Sequence, residues 1–276
     1  VDNIPVKEVA AVQALLLNTV NRPVKLTLVD RAGKTYNEVI KPCAWYTDNL
    51  LRYNEWELTN RGKVDSMSHN DIGYIHLKAM GSNDMDDFVK QFYPVFDRSG
   101  LIIDVRNNNG GNIDSWVLEK LMRKAWMYWQ ARAGKPTWNM QYAFRGHMVI
   151  LCDQQTASDG EAITEGFRRL GLGKVVGMRT WGGEIWLTGS NRLVDNGVAT
   201  AAEFGVYGPE GQWLIEGEGV IPDIEVDNLP FETYKGKDAQ LEYAVKHLQE
   251  LIKAKPVPVP PPPPYPNKAF KYDQKN

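Results

Sequence analysis

The segment Thr156-Ala157-Ser158-Asp159-Gly160-Glu161 places a serine just after the apolar run Met148-Val149-Ile150-Leu151-Cys152. An apolar strand that stops at such a turn and opens a helix running to about Leu170 puts the hydroxyl at a corner. The unpaired backbone N–H groups of the first helical turn then point toward it. Nucleophilic attack with stabilisation of the resulting anion is the chemistry this geometry suits. A serine in this place also suits a helix N-cap, so the segment alone admits both roles. Gly110-Gly111 follows a second buried run, Leu101-Ile102-Ile103-Asp104-Val105. Glycine lets a backbone come close to a substrate. An N–H of Gly110 or Gly111, with that of Asp159, would supply the two donors of an oxyanion hole. The alternative for Gly110-Gly111 is an ordinary left-handed turn between strand and helix.

These residues need a scaffold, and the pattern supplies one. Strands are read at 73–77, 101–105, 148–152 and 174–178. Helices are read from Ser82 or Asn83 through Phe96, over 113–122 and over 159–170. Strand–helix–strand alternation of this kind predicts an α/β fold with a mixed or parallel sheet and helices packed on it. Further strands are expected near 193–194, 198–200 and 204–206, and a last helix over 238–253. Ahead of this region, Val9, Val12, Leu16 and Val20 fall at helical spacing over 7–20. A hairpin follows, with one strand over 23–29 and a second running toward Ile40 and Pro42. After Lys255 come Pro256-Val257-Pro258-Val259 and five prolines at 260–264, which cannot be helix or central strand and fit polyproline II. This stretch could be a ligand for a proline-binding partner, a tether or an arm on a neighbouring subunit; a plain exposed tail is the default.

Composition narrows the function. The 276 residues are 43% hydrophobic and 24% charged, with a net charge of -2. That balance fits a globular protein and argues against a general nucleic-acid binder, which carries a basic excess. No 18-residue apolar run is present, so no membrane span is expected. Cys43 and Cys152 match no metal-ligand spacing, and neither metal nor cofactor is expected. Neither cysteine identifies a compartment. No signal peptide is visible at Val1. The nine tryptophans, many of them mid-chain, could line a groove, but core or subunit interface is the expectation for most.

Five stretches occur in order: Asp104-Val105-Arg106 leading into Asn109-Gly110-Gly111, Ala157-Ser158-Asp159-Gly160, Leu170-Gly171-Leu172-Gly173-Lys174, Gly177-Met178-Arg179-Thr180-Trp181-Gly182-Gly183, and Glu216-Gly217-Glu218-Gly219-Val220-Ile221-Pro222-Asp223. Together they resemble the C-terminal catalytic part of tricorn-type serine proteases, relatives of the C-terminal processing peptidases. The resemblance implies a crotonase/ClpP-like spiral core over 43–255, a partial PDZ-like segment over 1–42 and a proline-rich tail over 256–276. It implies Ser158 as nucleophile, with the N–H of Asp159 and that of Gly111 or Gly110 as the oxyanion hole. Glu216 matches the acid that supports the catalytic histidine through an intervening serine, while Glu218 stands where the motif is variable. The resemblance also implies that the Ser-His pair lies upstream of Val1, so the general base is not in this chain. His69, in Ser68-His69, is the alternative within it. His76 reads as structural, and His147 and His247 receive no role. In the branch that uses a Ser-Lys dyad the lysine would fall in the 177–180 turn. This chain has Arg179 there, which stays protonated and cannot act as a base; Lys174 reads as a solvated strand end. Peptide substrates, an N-terminal part of the same protein and a homo-oligomer are the implied partners. The rival readings are a non-catalytic peptide-binding or scaffold protein on the same fold, and a crotonase-like acyl-CoA enzyme, which leaves Ser158 with Glu216 unexplained.

Overall fold

The computed structural model describes residues 1–269; the last part of the expected tail, 270–276, lies outside the described residues. Two compact units are distinguished, Val1–Thr59 and the residues from Asn60 onward. In the first, strands β1 (Val24–Val29) and β2 (Thr35–Ile40) form the expected antiparallel hairpin. The helix expected over 7–20 is absent. Two short 3₁₀ turns, Val6–Glu8 and Val12–Leu16, stand in its place, and neither buries a residue. An apolar stripe with no surface to pack on does not offset the cost of nucleating a helix, least of all with β-branched Val9 and Val12 in it. Helix α1 (Trp45–Ser68) follows.

The second unit is built on β3 (Ile72–His76), β4 (Gly100–Asp104), β7 (His147–Cys152), β8 (Gly173–Gly177) and β11 (Ile224–Glu225). They form one sheet in the order β11-β8-β7-β4-β3. Every pairing in it is parallel, so the sheet is parallel and not mixed. Among the described residues, antiparallel pairing of named strands occurs in two-stranded ribbons. Within this unit these are β5 (Met127–Trp129) with β6 (Thr137–Asn139), and β9 (Trp186–Leu187) with β10 (Ala202–Phe204). The strands expected at 193–194 and 198–200 reduce to one bridge, Arg192 to Val198.

The four long strands are buried on both faces, which is why they read as unbroken apolar runs. On one face Ile75, Leu101, Ile103, Ile150 and Val175 pack against α2 (Ser82–Phe92), α3 (Asp114–Met122) and α4 (Asp159–Arg169), through residues such as Phe88, Leu121 and Phe167. On the other, Ile72, Tyr74, Ile102, Val149 and Leu151 pack against Leu241, Ala244 and Leu248 of α6 (Ala239–Ala254). A short helix, α5 (Pro230–Tyr234), precedes α6. Asp238 caps α6 by accepting the Leu241 N–H, and the same oxygen accepts from the Arg106 guanidinium at 2.8 Å. Arg106 also pairs with the buried Asp104, at 2.6 Å. Burial alone would lower the pKa of Arg106, but the two carboxylates hold it raised. This buried triad fixes the C-terminal end of β4, where the loop to Gly110 begins.

Two expectations are met only in part. Of the nine tryptophans only Trp138, at 9% exposure, is buried; the rest are exposed on the chain. The tail is also not free at its start. His147 Nε2 lies 2.7 Å from the Lys255 carbonyl. The Arg145 guanidinium donates to the Val257 and Pro258 carbonyls while lying over the rings of Tyr128 and Trp138. A polyproline stretch leaves its carbonyls unpaired, and a cation on an aromatic platform is suited to collect them.

Candidate active site

All strands of the sheet run the same way, so the loops after β4, β7 and β8 meet at its C-terminal edge, where open α/β sheets bind ligands. Asn108 joins the first two loops. Its side chain donates to the Leu77 carbonyl at 2.7 Å and accepts the Gly110 N–H at 2.8 Å. Its carbonyl accepts the Ala157 N–H at 2.8 Å. Thr156 adds a second tie, donating its hydroxyl to the Val105 carbonyl.

Ser158 sits at the corner that the sequence indicated. It occupies the N-cap position of α4 with φ +54° and ψ −128°, and its side chain makes no capping hydrogen bond. A non-glycine residue at positive φ is uncommon and costs energy. Here it turns the serine side chain out of the cap role and against Gly110. A Cβ at Gly110, itself at φ +87°, would lie 2.5 Å from the Ser158 Cβ. Gly111 has the same lack of room, since a Cβ there would lie 2.1 Å from the Met80 carbonyl oxygen.

The structure separates the candidate donors. The Gly110 N–H is committed to Asn108. Among the described residues no acceptor is found for the N–H of Gly111 or of Asp159. The Asp159 carboxylate faces the other way, accepting from the Ile113 and Asp114 N–H groups and tying the start of α3 to the start of α4. Burial raises its pKa to about 6, and the neighbouring Asp114 charge adds to this against the lowering effect of the Ile113 bond.

Glu161, three residues after Ser158 and fully buried, organises this corner, a role the sequence analysis did not assign. One carboxylate oxygen accepts from the Thr180 hydroxyl and from the Gly182 N–H at 2.7 Å. The other accepts from Gly183 N–H at 2.8 Å and Ser158 N–H at 3.1 Å. Glu161 therefore holds the serine backbone and the 180–183 turn together. The far side of that turn is held by Glu216, whose Oε2 accepts the Glu184 and Ile185 N–H groups at 2.7 and 2.8 Å. Glu216 follows Ile215, a β-branched residue at φ +69°, a second strained position. Ser158, Glu161 and Glu216 are thus linked through one turn. Glu184, also unassigned from sequence, lies in it with 3% exposure and an Oε2 that has no hydrogen-bond partner. Glu161 was legible in part as the acid of a Ser-x-x-Glu capping pattern; nothing local marks Glu184.

No histidine of the chain joins this cluster. His69 precedes β3, at the opposite end of the parallel sheet from Ser158, which follows β7. One strand length, roughly 16 Å, separates those ends. His76 Nε2 is 3.0 Å from the Arg106 carbonyl. His147 is held at the Lys255 carbonyl, and His247 stacks on Tyr243 with its pKa lowered by burial first and then by Lys174 and His147. Arg179 donates to the Glu218 carbonyl at 2.7 Å, and Lys174 pairs with Asp223. Among the described residues no cluster of His, Cys, Asp and Glu has the arrangement of a metal site. No helix among them is long and apolar enough to cross a membrane.

Comparison with known proteins gives the family. The profile of Peptidase family S41 matches residues 71–226. The tricorn protease of Thermoplasma acidophilum is 36% identical over 203 residues, covering 74% of this chain and 19% of that protein. A putative tricorn-like protease C-terminal subunit from Sulfurisphaera tokodaii is 35% identical over 240 residues, covering 86% of this chain and 28% of that protein. A crystal structure of the tricorn protease superposes with a TM-score of 0.78 at 32% identity, covering 87% of this chain and 23% of that one. The chain spans between about a fifth and just over a quarter of the length of these relatives.

Proposed function

Because the chain belongs to peptidase family S41, we propose that it is the nucleophile-bearing part of a tricorn-type serine peptidase that hydrolyses short peptides. Ser158 Oγ attacks the peptide carbonyl, and the oxyanion is received by the N–H groups of Gly111 and Asp159. The observation that carries this reading is the serine at φ +54°, packed against Gly110, with two neighbouring backbone N–H groups, those of Gly111 and Asp159, for which no acceptor is found among the described residues. Preorganised donors of this kind act where charge develops in the transition state. A histidine supplied from outside residues 1–276 takes the serine proton. Glu216, its Oε2 fixed by two backbone N–H groups, supports that histidine through an intervening serine, the partner of the Ser-His pair. The positions of the four histidines of the chain support an external base, and one relative carries the name of a C-terminal subunit. Within this proposal residues 1–42 are a partial PDZ-like segment, 43–255 the catalytic domain and 256–276 a tail. The assembly is a homo-oligomer.

The test is hydrolysis of short fluorogenic peptides by the chain together with the polypeptide that supplies the base. Ser158→Ala should abolish turnover, a loss on the order of 10⁶-fold, with the fold retained. Glu216→Gln should lower kcat with little change in KM, since the acid acts through the base. Residues 1–276 alone should turn over little. Full activity of 1–276 alone, lost on His69→Ala, would overturn the external base. The rival, a peptide-binding protein without catalysis, draws support from the missing histidine; it predicts peptide binding that is indifferent to Ser158→Ala and no hydrolysis under any condition.

A further inference from the structure

The proline-rich segment after α6 meets a surface whose geometry does not depend on it. Tyr128 on β5 and Trp138 on β6 are directly opposed across the ribbon, so both rings stand on one face of it. Trp138 donates its Nε1–H to the Ala143 carbonyl at 2.9 Å and packs on Phe96, with ring centroids 5.6 Å apart. The Arg145 guanidinium lies over both rings of the pair, 5.3 Å from the centre of Tyr128 and 5.1 Å from that of Trp138, and its Nε donates to the Tyr128 hydroxyl at 3.1 Å. None of these contacts involves the tail. The tail is met by a different nitrogen, Nη2, which donates to the Pro258 carbonyl and lies 3.4 Å from that of Val257. His147 holds the carbonyl of Lys255, where the segment starts. Backbone carbonyls are the polar groups a polyproline II strand has to offer, since proline has no N–H and the strand has no internal hydrogen bonds. Residues 256–259 share one groove with Phe96, Trp138 and Ile252. Val259 is half-buried there, whereas the prolines at 260–264 are exposed. Contact is thus concentrated on Pro256-Val257-Pro258-Val259, and the five prolines extend beyond it.

We propose that the β5–β6 ribbon, with Arg145 and His147, is a recognition site for polyproline II peptides in which aliphatic residues alternate with proline, and that this chain fills it with its own residues 256–259. Two properties suit the surface to that ligand class. Its aromatic pair and cation are already in place, and a polyproline II strand is already extended, so little conformational entropy is lost when they meet. Its donors are spaced to take carbonyls at 255 and at 257–258, which only an extended segment presents outward together. The resident segment begins directly after α6, so its tether holds it at an effective concentration on the order of millimolar. A proline-rich peptide from another molecule therefore has to displace it. The site stands at the start of β7, at the opposite end of the sheet from Ser158, and the inference does not rest on the reaction there.

The probe is a fluorescein-labelled peptide with the sequence of residues 255–262, and its anisotropy is followed against the full chain. Wild type is compared with a full-length double variant, Pro256→Gly with Pro258→Gly, whose tail is no longer preset to polyproline II. The double variant should bind the probe about tenfold or more tightly than wild type, because the competing resident segment is weakened. Arg145→Lys in the double variant keeps the charge and loses the planar fork, and should weaken probe binding by about tenfold. An all-proline probe of the same length should bind less well, since it lacks the side chain that Val259 places in the groove. Methyl spectra of the valine-labelled chain give a second reading. In wild type the Val259 signals should stand away from their positions in the free peptide, shifted by the neighbouring rings, and should return to them in Arg145→Ala. Equal probe binding by wild type and the double variant overturns the proposal. So does binding indifferent to Arg145→Lys, no binding at millimolar probe, or Val259 signals of wild type at their free-peptide positions.

Discussion

Glu161→Gln is the substitution from which most can be learned, because shape is kept and only acceptor chemistry changes. The carboxylate accepts four hydrogen bonds in a fully buried place, two on each oxygen. An amide can accept on one side only. Whichever way it turns, its NH₂ faces two donors, either Thr180 with Gly182 or Gly183 with Ser158. Two buried donors without acceptors cost about 1–3 kcal/mol each, or ~2–6 kcal/mol together. At roughly 2–4 °C per kcal/mol for a unit of this size, Tm should fall by about 10 °C. With the NH₂ turned toward Gly183 and Ser158, loss of the Ser158 N–H bond should also relax the φ +54° corner and slow fluorophosphonate labelling of Ser158 by about tenfold or more. Thr180→Val removes one donor and leaves the carboxylate its other three, but it also takes the acceptor from the buried Val220 N–H, so a cost of about 2–4 kcal/mol is expected. Calorimetry on the three proteins, with labelling followed by mass, measures both effects. A Tm within about 2 °C of wild type together with unchanged labelling would show that Glu161 does not hold the corner.

Two further outcomes are expected. Glu184 is raised by burial from 4.5 to about 8, so the folded chain binds its proton more tightly than the unfolded chain does. Its stabilising contribution is present below pH 4.5 and is lost as pH rises to 8, with a ceiling of about 5 kcal/mol; Glu184→Gln should therefore gain on wild type in Tm between pH 5 and 8, and parallel Tm profiles would refute this. Arg145→Ala should release the start of the tail, seen as faster proteolysis between Lys255 and Val259 with Tm changed little, and equal cleavage would mean that the Arg145 contacts do not hold it.

Much of the scaffold was legible because its strands are buried on both faces. Leu101–Val105 and Met148–Cys152 are apolar without a break, and no exposed element would carry such runs. Helix α1 was not legible for the opposite reason. Trp45, Tyr46, Leu51 and Leu58 are exposed while Asn60 and Ser68 are buried, so no apolar stripe marks it. The 7–20 stripe failed in reverse, with helical spacing and nothing to pack on. The core half of the tryptophan expectation failed, because composition does not say which side of a surface a ring occupies; rings exposed on one chain are what a subunit interface would also show. In the site, Ser158 and Gly111 were legible since strand ends and glycines leave local traces. The roles of Glu161 and Glu184 depend on N–H groups and charges brought in from α3, the 180–185 turn and the loop before β11. Only folding joins those parts.

The central claim is that Ser158 is the nucleophile. Reacting the chain with a fluorophosphonate, in the presence of the polypeptide that supplies the base, and mapping the adduct by tandem mass spectrometry tests it most directly. The account predicts one adduct, on Ser158, absent from Ser158→Ala. An adduct on another residue, or labelling that persists in Ser158→Ala, would contradict it.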